Sequence, residues 1–391
     1  MTPRQPRDRQ VAAQVPIPAL RLGGAGGDEG ERVAADPFAF DPFSSPCCRV
    51  ALLGFGTVGS AVARRLTTLD SDRAPAIRLT HVLDRRAEEK RRHTPLAGVA
   101  WTTEIADVLQ SDADVVVEAI GGVDPAVEWI RAALAAGKSV VTANKQAIAR
   151  HGAPLLALAA RQGRQLRFEA AVGGAIPIVR AIGDGLAGDR ITRIDAILNA
   201  TTNAVLSLVE ETGCSIDCAV RAAQALGYAE ADPSADLDGD DARAKLAILC
   251  ALAFGLRVDP SQIPAQSTAS IDRADVARAR ARGAAIRQIA HADFDRATST
   301  LTAWVAPIEV PRESIFGRAT GPQNAAIVAG EHSGETGIFG VGAGGDATAV
   351  AILSDIAAIA RDKAAVVPAP VLDSAFHIPH SSFQIPVAEA V

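Results

Sequence analysis

Short apolar runs alternate with stretches of helical period through the first third of the chain. Val50–Leu53 is a four-residue apolar run, and such runs form strands buried on both faces of a parallel sheet. Beyond it, Val62 and Leu66 share one face of a helical repeat. IRLTHVLD (77–84), DVVVEAIGG (114–122) and SVVTANK (139–145) predict further strands, and PAVEWIRAALAAG (125–137) predicts a helix. Alternating strands and helices predict a parallel, doubly wound sheet, which takes its ligands beyond the carboxyl ends of its strands. Glu118, Gly121, Gly122, Asn144 and Lys145 fall at that edge.

Later in the chain, TLTAWVAPIEV (300–310) carries Ile, Val and Leu in strand-like density. It predicts a second sheet and a candidate subunit interface. LAILCALAFGL (246–256) is the longest apolar run, bounded by Lys245 and Arg257. It falls short of the roughly 18–20 residues that a membrane span requires and suits a buried helix. Residues 1–48 lack periodicity and are rich in Pro, Gly, Arg and Asp, so a disordered N-terminal extension is expected there. They hold no apolar core of a secretory signal. Proline-punctuated residues 366–391 are expected to form an irregular tail.

Length and charge narrow the function classes. A chain of 391 residues, with 48% hydrophobic and 21% charged residues, predicts two or three ordinary globular domains. The net charge of −6 is spread over many sites, which argues against nucleic acid as a partner. EEKRRH (88–93) and VARARARG (276–283) read as solvated helix faces. Five cysteines without a CxxC pair point to reduced thiols and a cytoplasmic location. Cys214 and Cys218 alone make an incomplete zinc site, and Cys250 sits in the apolar run as a core residue.

The chemistry begins after the first strand, where the chain reads GFGTVG. This is a GxGxxG pattern with a strand before it and a helix after it, the context that dinucleotide binding requires. Gly54 allows the tight turn, Gly56 lets the backbone approach a pyrophosphate, and Gly59 lets the helix pack on the strand. Gly54, Phe55, Gly56, Thr57, Val58 and Gly59 are therefore candidate cofactor contacts, with helix N–H groups facing the anion. Asp84 ends the next predicted strand, where an acid binds the ribose hydroxyl of NAD. Arg85, Arg86 and Lys90 follow, and their charge suits the 2′-phosphate of NADP. The two signals oppose each other, so NAD and NADP both stay open.

A second cluster lies at 232–249, DPSADLDGDDARAKLAIL. On a helix starting near Asp240, Asp241 and Lys245 are four apart and share a face with Ile248, Leu249 and Leu252. Desolvation lowers a lysine pKa and a neighbouring carboxylate raises it again, so Lys245 is a candidate proton-transfer group. Asp238 and Asp240 read as helix-start acids. A calcium loop from Asp236 fails at its twelfth position, which is Ala247 rather than a bidentate Glu.

From Ala223 to Lys245 the chain follows A-x3-G-Y-A-x2-D-P-x2-D-L-x-G-x-D-x3-K without a gap. With GFGTVG, EAIGG, VTANK, EAAVGGAIP (169–177) and the late cluster GVGAGGDATA (340–349), it resembles the homoserine dehydrogenase family over about residues 49–362. The resemblance implies NAD(P)-dependent interconversion of L-homoserine and L-aspartate 4-semialdehyde, in the threonine, methionine and isoleucine branch of the aspartate pathway. It implies an α/β fold: a Rossmann-type doubly wound parallel sheet with a second α+β catalytic and dimerisation domain. The expected division is 49–170 for the dinucleotide-binding domain, completed by about 345–365, and 171–344 for the second domain. A homodimer without nucleic acid or membrane partners is implied, and no room is expected for a C-terminal regulatory ACT domain.

By the same resemblance Lys245 is the acid/base lysine and Lys145 a second catalytic lysine at the cofactor cleft. Glu230 and Asp241, with Asp236, hold the substrate. Gly344 joins Asp84, Arg85, Gly121 and Lys145 as a cofactor contact. Backbone oxygens of Glu169, Val172, Gly174 and Ile176 are implied as a site for a monovalent cation such as Na+. Ala200 stands where the family has glycine, and Ala171 where it has a hydroxyl. The alternatives are another amino-acid or hydroxy-acid dehydrogenase on the same fold, and a catalytically silent dinucleotide-binding sensor.

Overall fold

The structure, a computed structural model, describes residues 48–68 and 77–361. Expectations for Cys47, for nearly all of the N-terminal extension and for the tail from 366 lie outside the described residues. Cys48, assigned to the extension by sequence, is instead the first residue of β1 and fully buried.

Six strands form a parallel sheet: β1 (Cys48–Leu53), β2 (Ile77–Leu83), β3 (Ala100–Thr102), β4 (Val115–Glu118), β5 (Ser139–Thr142) and β6 (Leu166–Arg167). Their order is β3-β2-β1-β4-β5-β6, which puts the reversal of strand order between β1 and β4, where dinucleotides bind. Val115, Val116 and Val117 are all fully buried, as a strand with helices on both faces demands. β3 and β6 were not legible in the hydrophobic pattern, because three and two residues give no period. Two predicted strands end early. β4 stops at Glu118 and β5 at Thr142, and Lys145 opens the helix Lys145–Arg161.

The second sheet is antiparallel: β7 (Ile191–Ile197), β8 (Ala284–Asp295), β9 (Thr300–Pro311), β10 (Gln323–Gly330) and β11 (Gly334–Val341). Its order is β11-β10-β7-β8-β9, so the predicted strand at 300–310 is an edge strand. The helix Asp240–Phe254 packs between this sheet and the helix Lys145–Arg161. That explains its sequence, since a helix buried on several sides is apolar nearly all round. Leu246, Ile248, Leu249 and Cys250 are each 3% exposed or less. One hydrophobic core runs from the parallel sheet through both helices into the antiparallel sheet. The helix Gly345–Arg361 returns to pack on the helix Thr57–Thr68 in the other core of the parallel sheet.

Candidate active site

The glycines of the first turn do what their spacing predicted. Gly54 has φ +93°, and a Cβ there would lie 2.8 Å from Ala119 O. A Cβ on Gly59 would lie 2.0 Å from Gly54 O, so only glycine lets the helix start this close to the strand. A Cβ on Gly56 meets nothing within 4 Å; its outer side is open, as a backbone that approaches a ligand requires. Thr57 and Val58 begin the helix, whose first N–H groups suit an anion. Phe55 is 7% exposed and its ring stands edge-on to Trp101, so the side chain serves the core and not a cofactor. The late glycine cluster closes on the same turn: a Cβ at Gly345 would be 3.0 Å from Thr57 O, and neighbouring Gly344 is exposed with φ +114°.

Asp84 is more engaged than the sequence suggested. Oδ2 accepts from Phe55 N (2.9 Å) and Lys90 Nζ (2.6 Å), and Oδ1 accepts from Arg86 N (2.9 Å). Lys90 also donates to Phe55 O at 2.8 Å. Burial opposes the Asp84 charge, but the Lys90 bond and the backbone N–H groups outweigh it and hold its pKa below the ordinary value. Arg85 is exposed. Lys90 therefore belongs to the glycine-rich turn.

At the next strand ends, Glu118 is fully buried, its carboxylate held by the N–H groups of Ile120 and Gly121 and by the Thr142 hydroxyl. Gly121 and Gly122 follow with φ +81° and +74°. Asn144 caps the helix Lys145–Arg161, its side chain accepting from Ala147 N at 3.0 Å.

Lys145, Asp241 and Lys245 come together in one cluster. Asp241 lies in the first turn of its helix with its side chain 4% exposed. Lys245, one turn on, donates to Asp241 Oδ2 at 2.8 Å and to Leu198 O at 2.8 Å. Lys145 reaches the other oxygen, Oδ1, from the second helix. Burial pushes Asp241 up, but Lys245 and then Lys145 outweigh it and hold the carboxylate well below its usual range. Burial lowers the Lys145 pKa, but Asp241, with Asp236 and Glu230 behind it, holds it above the ordinary lysine value. The Lys245 side chain is 14% exposed and that of Lys145 37%.

Asn199 is the residue that sequence reasoning missed. Its Nδ2 donates to Asp236 Oδ1 (2.6 Å) and Asp241 Oδ2 (2.8 Å), while its Oδ1 accepts from Thr202 N (2.7 Å). An asparagine before a helix signals an N-cap; nothing in the sequence shows that its amide also bridges two acids. Burial and the facing Asp241 raise the pKa of Asp236, against the Asn199 bond. Glu230 is exposed on the loop after the helix Ile216–Ala225, where Gln224 Nε2 holds its backbone O at 2.9 Å. Asp240 sits in the first turn and pairs with Arg243. Asp238 precedes the left-handed Gly239 and accepts from Ser267 Oγ at 2.6 Å, so it is not the helix-start acid expected.

Ala200 is the first residue of its helix and does not have a positive φ, so the alanine costs no backbone strain. Cys250 is fully buried and its thiol is pushed up to about 12, which rules it out as a nucleophile at neutral pH. Glu169 accepts from Val179 N and Arg180 N, both at 2.9 Å. Burial raises its carboxyl to about 7. The chain from Glu169 to Ile176 is wound tightly: Ile176 N donates to Gly173 O at 3.3 Å, and a Cβ on Gly173 would lie 2.3 Å from Ile176 O. Among the described residues no helix is long and apolar enough to cross a membrane.

Comparison with known proteins fits this geometry. Residues 54–169 match the family model described as "Homoserine dehydrogenase, NAD binding domain", and residues 177–357 the one described as "Homoserine dehydrogenase". The homoserine dehydrogenase of Mycobacterium tuberculosis is 39% identical over 321 residues, which cover 80% of this chain and 72% of that one. A crystal structure of a homoserine dehydrogenase from Thiobacillus denitrificans superposes with TM-score 0.76 at 34% identity, covering 87% of this chain and 78% of that one. A hyperthermophilic archaeal homoserine dehydrogenase in complex with NADPH gives TM-score 0.67 at 28% identity, covering 81% and 98%. The chain belongs to the homoserine dehydrogenase family.

Proposed function

We propose that the chain carries out the homoserine dehydrogenase reaction at the Lys145–Asp241–Lys245 cluster. The observation that carries this reading is the buried Asp241 carboxylate holding two ammonium groups from different helices. A bound nicotinamide cofactor supplies the hydride; the protein orients the aldehyde and provides a proton for the new alkoxide. Lys245, fixed by Leu198 O and Asp241, is the proton donor, and Lys145 faces the same oxygen from the cofactor side. Both lysines share one carboxylate and so form one unit. In homoserine oxidation the unit takes the proton back. Glu230 and Asp236, at the rim of the cluster, suit the substrate ammonium through charge-assisted hydrogen bonds.

Gly54, Gly56, Gly59, Gly121 and Gly344 hold the dinucleotide through their backbone, with Asp84, Arg85 and Lys90 around the adenosine ribose. The open space at Gly56 and the NADPH complex of the archaeal relative support NAD(P) at this turn. The tight winding of Glu169, Val172, Gly174 and Ile176 supports a monovalent cation held by backbone oxygens. The family-model boundaries support a division near residue 170, and the packing of the helix Gly345–Arg361 on the helix Thr57–Thr68 supports a return to the first domain from about 345. Phe339 and Val341, 56% and 48% exposed on the edge strand β11, support a homodimer that covers this sheet, and the thiols of Cys214, Cys218 and Cys250, which form no disulfide, support a cytoplasmic enzyme.

The test is NAD(P)+ reduction with L-homoserine beside a panel of other amino acids and 2-hydroxy acids. Preference for L-homoserine by a factor of about 100 or more in kcat/KM is expected, since a site built for a polar substrate rejects analogues strongly. Equal or better turnover of another substrate would favour a related dehydrogenase. Cofactor binding without turnover of any substrate would favour a sensor.

A further inference from the structure

Glu118 closes β4 with a fully buried side chain, and the chemistry above does not use it. Its partners are neutral donors. Oε1 accepts the N–H groups of Ile120 (2.9 Å) and Gly121 (3.1 Å), and Oε2 accepts the Thr142 hydroxyl. Thr142 Oγ1 accepts Asn144 N–H at 3.0 Å in turn. Asn144 then works in two directions: Nδ2 donates to Gly122 O at 2.6 Å, and Oδ1 caps the helix that starts at Lys145. One buried carboxyl thus ties the turn after β4 to the helix start after β5.

Both ends of this chain of bonds reach the reaction. Gly121 and Gly122 are left-handed in succession, φ +81° and +74°, and the two N–H groups drawn inward by Glu118 fix the start of that turn. A Cβ on Gly121 would meet nothing within 4 Å, so the outer side of the turn is open. In a doubly wound sheet the half built on β4–β6 takes the second mononucleotide of the cofactor, here the nicotinamide half if Asp84 lies by the adenosine ribose. At the other end, Lys145 projects from the capped helix onto Asp241.

We propose that Glu118 is a positioning residue: through Thr142 and Asn144 it sets the Gly121–Gly122 turn against the nicotinamide nucleotide and fixes the helix that delivers Lys145 to Asp241. The network couples cofactor seating to the catalytic cluster. This inference rests on the roles given above to Lys145 and to the cofactor cleft.

Thr142→Val removes the hydroxyl at nearly constant shape, Thr142→Ser keeps it, and Glu118→Gln keeps shape while setting an amide N–H against a donor. In the full-length enzyme with NADPH and L-aspartate 4-semialdehyde, Thr142→Val and Glu118→Gln are expected to lower kcat/KM about 10–100-fold, the scale of a misplacement near 1 Å. The cofactor KM rises and kcat falls together, while Thr142→Ser stays close to wild type. A merely structural network would lower the thermal midpoint and leave both constants of the folded fraction unchanged, and that result overturns the proposal. If Glu118→Gln does not fold, the Thr142 pair carries the test. NADPH affinity from fluorescence titration separates this inference from the reading it rests on. A wild-type enzyme without turnover sinks that reading. NADPH affinity weakened by Thr142→Val but not by Thr142→Ser still supports the network, and equal affinities in all three proteins refute it.

Discussion

Replacing Asp241 by asparagine tests whether one carboxylate holds the site together. The Asp241 side chain is 4% exposed and accepts from Lys145, Lys245 and Asn199. An asparagine keeps the size but removes the charge, and its own N–H group must point at a donor. Leaving a buried partner unpaired costs ~3–5 kcal/mol. Lys145 is 37% exposed, so its share is screened, and the low end, about 3 kcal/mol, is expected. With a urea slope near 3 kcal/mol/M, that moves the midpoint down by about 1 M. The pH dependence has a definite sign. The pKa of Asp241 is depressed, so its contribution is present above the unfolded value of about 3.9 and is lost as pH falls through the folded value. The pKa of Lys145 is raised, so its contribution is present below about 10.4 and is lost as pH rises through the folded value. The gap between wild type and Asp241→Asn should stay open from about pH 5 to 9 and narrow toward acid. Coincident urea curves at pH 7 would refute the idea that Asp241 organises both lysines.

Gly59→Ala should lower the thermal midpoint of the cofactor-free protein, because its Cβ would strike Gly54 O. Gly56→Ala, with open space at its Cβ, should leave that midpoint alone and still weaken NADPH in a fluorescence titration; unchanged affinity would move the pyrophosphate elsewhere. Lys90→Met should free Asp84 for a ribose hydroxyl and raise the NADH-to-NADPH ratio of kcat/KM by about tenfold, the worth of one charge-assisted bond. An unchanged ratio would remove Asp84 from the cofactor site. Homoserine oxidation needs the lysine pair to accept a proton, and Lys145 is held above its ordinary value. Its rate should therefore climb with pH into the alkaline range, and the residual activity of Asp241→Asn should reach its plateau at lower pH. A profile flat from about pH 6 to 10 would contradict a lysine base.

Much of this was legible in the sequence, for identifiable reasons. The glycine-rich turn could be read because Gly54 and Gly59 each answer a local steric demand. Asp241 and Lys245 could be paired because both sit on one helix, where spacing alone fixes their distance. Lys145 could be assigned to the cleft but not to Asp241, since that contact depends on how the helices Lys145–Arg161 and Asp240–Phe254 pack. Asn199 was hidden for the same reason: its acid partners lie 37 and 42 residues away along the chain. Lys90 could be read as a charge near the ribose, but not its bond to Phe55 O, 35 residues away. Glu118 was expected among the ligand-facing residues. Its strand ends sooner than the apolar pattern suggests, and its carboxyl turns back onto the chain instead.

If the lysine pair on Asp241 performs the proton transfer of homoserine dehydrogenase chemistry, removing Lys245 stops turnover and spares cofactor binding. The most direct measurement is NADH and NADPH oxidation with L-aspartate 4-semialdehyde, by wild type and Lys245→Ala, beside NADPH binding by both. Wild-type turnover, a loss of about 10²–10⁴-fold in kcat for Lys245→Ala, and nearly equal NADPH affinity are expected. Equal turnover by the two proteins, or none by either with both cofactors, would contradict that role of the pair.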